Sequence, residues 1–197
     1  MGSCGEPEAN RVPPFNTEEY FRRYQLMNLL TKESKFENEL ERQIFMAINV
    51  CRFDPKVFVP IVQRVRDRCP LVSQAANTGV LLKQLSAMVR LPPVIYDVPA
   101  VDACRQNNVV QCAPTVQYPQ MGGNVAMLQK LVGGPVPGED FTLPRFEVAS
   151  GADFVAVQLI MDFAREGAFS CMSPILNFDV TRLGISNRAN RATINLV

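Results

Sequence analysis

Histidine and tryptophan are both absent from the 197 residues of this chain. The absence of histidine excludes the commonest catalytic designs, because a Ser-His-Asp or Cys-His nucleophile needs an imidazole that takes up a proton near neutral pH. The usual zinc and non-haem iron sites also need imidazole nitrogen as a ligand. An enzyme of this sequence would have to use carboxylate, lysine, tyrosine or lone-thiolate chemistry.

Long apolar runs and an excess of one charge are missing as well. The longest apolar runs, residues 57–62 and 80–82, are far shorter than the about 20 residues of a membrane-spanning helix. Lysine and arginine number 20 against 19 acidic residues, so no net field attracts nucleic acid or an anionic membrane. We therefore predict no transmembrane segment and no nucleic-acid partner.

Cysteine pairs of the C-x-x-C type and a secretory apolar segment are also lacking. We predict a reducing, cytoplasmic compartment and small core thiols at Cys51, Cys104 and Cys112. A Cys4 zinc site built from distant segments is the alternative, but the spacing favours no metal and no cofactor. The six cysteines are at positions 4, 51, 69, 104, 112 and 171.

The N-terminal residues contain two candidate sites for lipid attachment. Gly2 would be available for myristoylation after removal of methionine, and Cys4 would be available for palmitoylation, although Glu6 departs from the usual pattern. Residues 5–15 contain three prolines and are typical of an extended arm. Membrane attachment through this end is therefore an alternative to a protein contact.

A short amphipathic helix is predicted after Asn16, which is a typical N-cap before two glutamates. Its aromatic and apolar residues must pack on the protein's own domain or on a partner, and we predict a partner. The expected partner-binding residues are Tyr20, Phe21, Tyr24 and Met27. We divide the chain into an arm and helix at 1–31 and a domain at 32–197, which should stay folded without the arm.

The domain itself has local signals for helices first and a hairpin last, which indicates the α+β class. Ser34 and Glu37 form a predicted capping box, and Asp54-Pro55 ends the helix that follows. Arg64, Arg66 and Arg68 give the next helix a basic side, which should be solvated or face an acidic partner.

Two further elements are predicted toward the end of the chain. Gly151-Ala152-Asp153 should cap a largely buried helix. Residues 176–186 nearly alternate apolar and polar side chains and, with 193–197, predict a terminal hairpin in which Gly184 marks a bulge or a close backbone approach.

Four motifs in order resemble the CAP domain family, also called SCP-like, of cysteine-rich secretory, antigen 5 and pathogenesis-related proteins. They are Asn49-x-x-Arg52, residues 91–97, residues 121–126 and residues 175–186. The resemblance covers roughly residues 36–197 and implies a three-layer α-β-α sandwich with an N-terminal helical extension. It also implies a structural role for Asn49 and Arg52, which would tie their helix to neighbouring backbone.

The same resemblance implies a degenerate cleft at Gly123, Asn124 and Cys171. Gly123 stands where the family has a metal-binding glutamate, and Cys171 where it has a histidine. We therefore predict a structural or interaction protein without enzymatic activity, in a larger intracellular assembly that is cytoskeletal or ciliary (axonemal). One alternative is a lipid or sterol carrier, as the family implies, and another is an enzyme using paired carboxylates or the Cys171 thiolate.

Overall fold

The computed structural model describes residues 15–68, 78–112, 125–129, 150–164, 173–188 and 191–196. Within them the protein is a helix-rich α+β fold. Its six α-helices are α1 (Thr17–Arg23), α2 (Glu39–Phe53), α3 (Val59–Arg68), α4 (Thr78–Ala87), α5 (Val98–Cys112) and α6 (Gly151–Ala164). Three 3-10 turns lie at Met27–Leu29, Pro55–Phe58 and Pro174–Leu176. Among these residues, no helix is long and apolar enough to cross a membrane.

One four-stranded sheet has the order β1-β3-β4-β2. Its strands are β1 (Ile95–Tyr96), β2 (Val125–Gln129), β3 (Arg182–Arg188) and β4 (Arg191–Leu196). β3 and β4 form the predicted terminal hairpin, with Ile185 opposite Ile194, while β1 joins β3 in parallel. The pattern therefore predicted the hairpin correctly.

The start of β3 differs from the expectation that a strand-like run begins at residue 176. Pro174–Leu176 forms a 3-10 turn, and Ser173 caps it by accepting a hydrogen bond from the Ile175 N–H group. Phe178, one of the apolar residues of the alternating run 176–186, is 63% exposed. Apolar alternation was misleading here because residues 173–181 form a loop, and β3 begins only at Arg182.

Gly184 is the predicted site of close backbone approach. A Cβ atom at this position would overlap the backbone of Ala100 in α5, so α5 can pack directly on β3 only because the side chain is missing. Leu183 and Ile185 are fully buried in the main core. Alternation along the strand directs them to the opposite face from Gly184.

Helix α2 begins later than the capping box predicted. Its N-cap is Asn38, whose side chain accepts the N–H group of Glu41 at 3.0 Å. Ser34 instead accepts the N–H group of Thr31 and closes a turn at 3.1 Å, so the Ser34–Glu37 box is wrong. The helix ends at Phe53 with Asp54 as C-cap, as Asp54-Pro55 predicted.

Two further predictions about helices need correction. Arg64 does not lie on a solvated face, because it forms an ion pair with Asp153 at 2.5 Å and is largely buried. The cap of α6 is Ser150, whose hydroxyl accepts the Asp153 N–H group at 3.2 Å. Asp153 is available for Arg64 because it lies in the first turn of α6, close to α3.

The N-terminal helix α1 packs on α2 and belongs to the same core as the rest of the protein. Asn16 caps it as predicted by accepting the Glu19 N–H group at 3.1 Å. Phe21 is completely buried and Leu26 is 4% exposed. The proposed boundary at residue 31 therefore does not coincide with a break in the core.

Candidate binding cleft

A cleft of about 470 Å³ lies where the end of α1 meets the end of α2. One wall is the turn that follows α1, the other contains Arg90 and Pro93, and Phe53 contributes to the floor. The α1 side contributes Arg23, Tyr24, Gln25, Leu26, Asn28 and Leu29. Its volume is in the range of about 300–1,000 Å³ that is usual for ligand-binding pockets.

The wall on the α1 side is shaped by a left-handed residue. Gln25 has a φ angle of 58° and is the non-glycine residue with positive φ in the described backbone. The Leu26 N–H group donates to the Phe21 carbonyl at 3.0 Å and the Gln25 N–H group donates to the Arg22 carbonyl at 2.9 Å. This is a Schellman motif, in which glycine is the usual left-handed residue. A non-glycine residue there costs free energy, and such strain concentrates at functional sites.

The floor of the cleft is aromatic. The ring of Tyr24 stacks on Phe53 with centroids 4.6 Å apart, and the Arg90 guanidinium lies 3.7 Å from the Phe53 centroid. The Tyr24 hydroxyl donates to Asp54 at 2.8 Å. Burial, followed by this hydrogen bond to a carboxylate, raises the pKa of Tyr24 to about 12. Tyr24 therefore remains a neutral donor at physiological pH.

Two arginines at the cleft remain unpaired. Within the described part of the chain, neither Arg23 nor Arg90 forms an ion pair, whereas the adjacent Arg22 binds Glu18 at 2.7 Å. Both side chains are exposed. The cleft thus combines two available positive charges with an aromatic floor, which suits an anionic ligand that also carries apolar groups.

The residues to which the sequence assigned a structural role lie behind this cleft. The Asn49 side chain accepts the Val94 N–H group at 2.8 Å and donates to the Phe45 carbonyl at 3.2 Å. Arg52 is fully buried, and burial lowers its pKa. Its guanidinium donates to four backbone carbonyls at 2.8 Å each, those of Pro92, Ile175, Asn177 and Val180. These bonds fix the segment that carries Arg90 and Pro93 against α2.

A second buried polar group anchors the other end of α2. Glu41 is 1% exposed, and its two carboxylate oxygens accept the N–H groups of Glu37 at 2.8 Å and Asn187 at 2.6 Å. Burial raises the pKa of this carboxyl group, with the two hydrogen bonds acting in the opposite direction. Glu41 therefore joins the start of α2 to the end of β3.

The buried Ser173 takes part in hydrogen bonds that fix the local structure. Ser173 donates to Asp162 at 2.5 Å and accepts the Ile175 N–H group at 3.2 Å. The other Asp162 oxygen accepts from the Gln158 side chain. In the part of the chain that the structure describes, no three His, Cys, Asp or Glu side chains gather as a metal site would require.

The four residues predicted to bind a partner differ in how far they are exposed. Tyr24 lines the cleft, Tyr20 packs partly buried between Phe15 and Tyr24, and Met27 is 41% exposed. Phe21 is not a surface contact, because its ring is buried in the protein's own core. Gly2, Cys4, Gly123, Asn124 and Cys171 lie outside the described residues.

Two of the three cysteines predicted as small core thiols, Cys51 and Cys104, lie among the described side chains. Cys51 is a free, fully buried thiol, and its burial raises the thiol pKa. Cys104 is buried as well, and the side chain of Cys112 lies outside the described atoms. A thiol in such surroundings is a small apolar core residue rather than a nucleophile.

The sequence reasoning missed Arg23, Arg90 and Phe53 as site residues. Arg90 comes just before Pro92-Pro93, which marks a surface turn but carries no chemical signal. The turn at Gln25 and the hydrogen bonds of Asn49 and Arg52 to residues 94 and 92 place these segments side by side. A scan against family models, a search of curated proteins and a search of solved structures found no match to this chain.

Proposed function

We propose that this protein is a non-catalytic interaction protein that holds a protein partner in the cleft between α1 and α2. The observation that carries the proposal is the pair of unpaired arginines, Arg23 and Arg90, beside the aromatic floor of Tyr24 and Phe53. Arginine and aromatic residues are enriched where interfaces concentrate their binding energy.

We further propose that the domain is a degenerate CAP-like α-β-α sandwich. Support comes from the way α5 packs on one face of β3 through Gly184, while Leu183 and Ile185 belong to the main core. The backbone hydrogen bonds of Asn49 and Arg52 agree with the structural role that the resemblance implies. The cysteine pattern favours an intracellular setting, and we propose that the protein belongs there to a larger assembly, cytoskeletal or ciliary.

Proximity labelling in cells tests the interaction. The full chain, fused to a biotin ligase, is compared with the double variant R23A/R90A and with the matched control R66A, whose arginine lies on α3 beside Asp67 at 2.8 Å. We expect a reproducible set of labelled proteins that the parent and R66A share and the double variant loses. A labelled set that is the same for all three proteins would contradict a role for this cleft. Equal expression and equal thermal unfolding of the three chains serve as the folding control.

A further inference from the structure

The Arg90 guanidinium is held in place while its hydrogen-bonding edges remain available. Its position 3.7 Å from the Phe53 ring centroid restricts the side chain without using its N–H donors. Phe53 in turn is held by stacking on Tyr24. A planar guanidinium fixed in this way loses little entropy when it binds a carboxylate through two parallel hydrogen bonds.

Arg23 provides a second positive charge on the opposite wall of the cleft. Glu19 lies four residues before Arg23 on α1, but within the described residues these two side chains form no ion pair, and Glu18 binds Arg22 and Arg42 at 2.7 Å and 3.3 Å. The carboxylate of Asp54 near the floor accepts the Tyr24 hydroxyl. The residues that line the cleft include Arg23 and Arg90 and no acidic side chain, so an anionic group on a ligand would complement the charge of the lining.

The remaining groups of the cleft match a polypeptide better than a phosphate-bearing surface. Gln25 and Asn28 are exposed, and within the described residues their side-chain amides form no hydrogen bond. An amide offers both a donor and an acceptor, as peptide groups require. The arginines Arg64 and Arg66 are paired with aspartates, so they do not extend the cleft into a basic surface.

We infer that the cleft binds an acidic, extended segment of the partner protein, with its carboxylates on Arg90 and Arg23 and an apolar side chain against Tyr24 and Phe53. This inference rests on the proposed function and adds the chemistry of the partner. The amides of Gln25 and Asn28 bond the peptide groups of the bound segment.

Fluorescence anisotropy with the full chain and a labelled peptide of alternating glutamate and phenylalanine tests the inference. We expect saturable binding that weakens as salt is added. The same peptide with glutamine in place of glutamate should not bind. R90A and R90K should each weaken binding about tenfold or more, because lysine lacks the planar fork. The control R66A should bind like the parent.

Three results would overturn the inference. They are equal binding of the glutamine peptide, equal loss of affinity in R66A and R90A, and tighter binding to vesicles of anionic phospholipid than to the acidic peptide.

The failure of this inference can be distinguished from the failure of the proposed function. If proximity labelling finds a cleft-dependent protein that the acidic peptide does not displace, only the chemistry of the segment is wrong. If no protein is labelled in a cleft-dependent way, the proposed function is wrong even where the peptide binds.

Discussion

Arg52 shows how one charged side chain can organise the interior. It is buried, and its hydrogen bonds in the described residues go to backbone carbonyls on two distant segments, 92 and 175–180. A carbonyl that loses its partner in the interior costs about 1–3 kcal/mol. This guanidinium therefore supplies hydrogen-bond donors to backbone carbonyls that no helix or sheet hydrogen bond reaches.

We expect Arg52→Lys to destabilise the protein by about 2–5 kcal/mol, because lysine keeps the charge but cannot reach four carbonyls with one planar fork. Urea unfolding followed by circular dichroism measures the difference. Arg66→Lys on the surface of α3 is the control and should change stability by no more than about 0.5 kcal/mol. An Arg52→Lys protein as stable as the parent would show that solvent or rearranged backbone replaces these bonds.

The buried carboxyl group of Glu41 makes the free energy of unfolding depend on pH. Its folded-state pKa lies above the ordinary value of 4.5, so the contribution of this group to stability is fully present below pH 4.5 and is lost as the pH rises through the folded-state pKa. Glu37 raises this pKa further and Arg105 lowers it. The ionised carboxylate thus costs stability near neutral pH relative to its protonated form.

The variant Glu41→Gln does not titrate at this position. We expect its loss of stability relative to the parent to be larger below pH 4.5 than near neutral pH. Chemical unfolding at a series of pH values measures the difference, with the exposed Glu39→Gln on the same helix as control. A loss that stays constant or grows with rising pH would mean that the two backbone hydrogen bonds outweigh burial.

At the scale of elements, the closest packing occurs where a glycine lets one element touch the backbone of another. A Cβ at Gly184 would overlap Ala100 of α5. Since both sides of this contact are backbone, neither can move aside by changing a rotamer.

We therefore expect Gly184→Ala to destabilise the protein by about 3 kcal/mol or more. The helical Gly79 is a matched control because a Cβ there meets no atom within 4 Å, and Gly79→Ala should be neutral or stabilising. Thermal unfolding of both variants is the measurement. If Gly184→Ala melted like the parent, α5 and β3 would not pack as closely as described.

The ends of helices could be predicted from the sequence where neighbouring residues determine them. Asn16 caps α1 and Asp54-Pro55 ends α2 because a cap depends on residues a few positions apart. The start of β3 was not predictable, since residues 173–181 are held by Arg52 from far along the chain. The cleft was missed for the same reason, as Arg23 and Arg90 become neighbours only in the folded protein.

At the scale of the whole molecule, the N-terminal helix is part of the domain. A series of ring contacts runs from Phe15 through Tyr20 and Tyr24 to Phe53. Phe21 fills the core beneath it. We therefore expect the domain to lose stability without residues 1–31, because their removal would expose this core.

We expect Phe21→Ala to cost about 3–5 kcal/mol, and we expect a chain that begins at residue 32 to show a lower unfolding temperature or to aggregate. Met27→Ala is the matched control, since Met27 is 41% exposed and its truncation should cost no more than about 0.5 kcal/mol. Differential scanning calorimetry gives both values. A Phe21→Ala protein that unfolds like the parent would restore residues 1–31 as a separate arm.

The hydrogen bonds of Arg52 also set an order of events during synthesis on the ribosome. The carbonyls that this guanidinium needs at 175, 177 and 180 are made 123 to 128 residues after Arg52 itself. Until they emerge, α2 cannot bury its last turn without leaving a charge unsatisfied. Contacts between such distant positions also slow folding, because a long loop must close first. We therefore expect the nascent chain to keep part of its core exposed until residues 175–180 have emerged, and to be prone to aggregation until then.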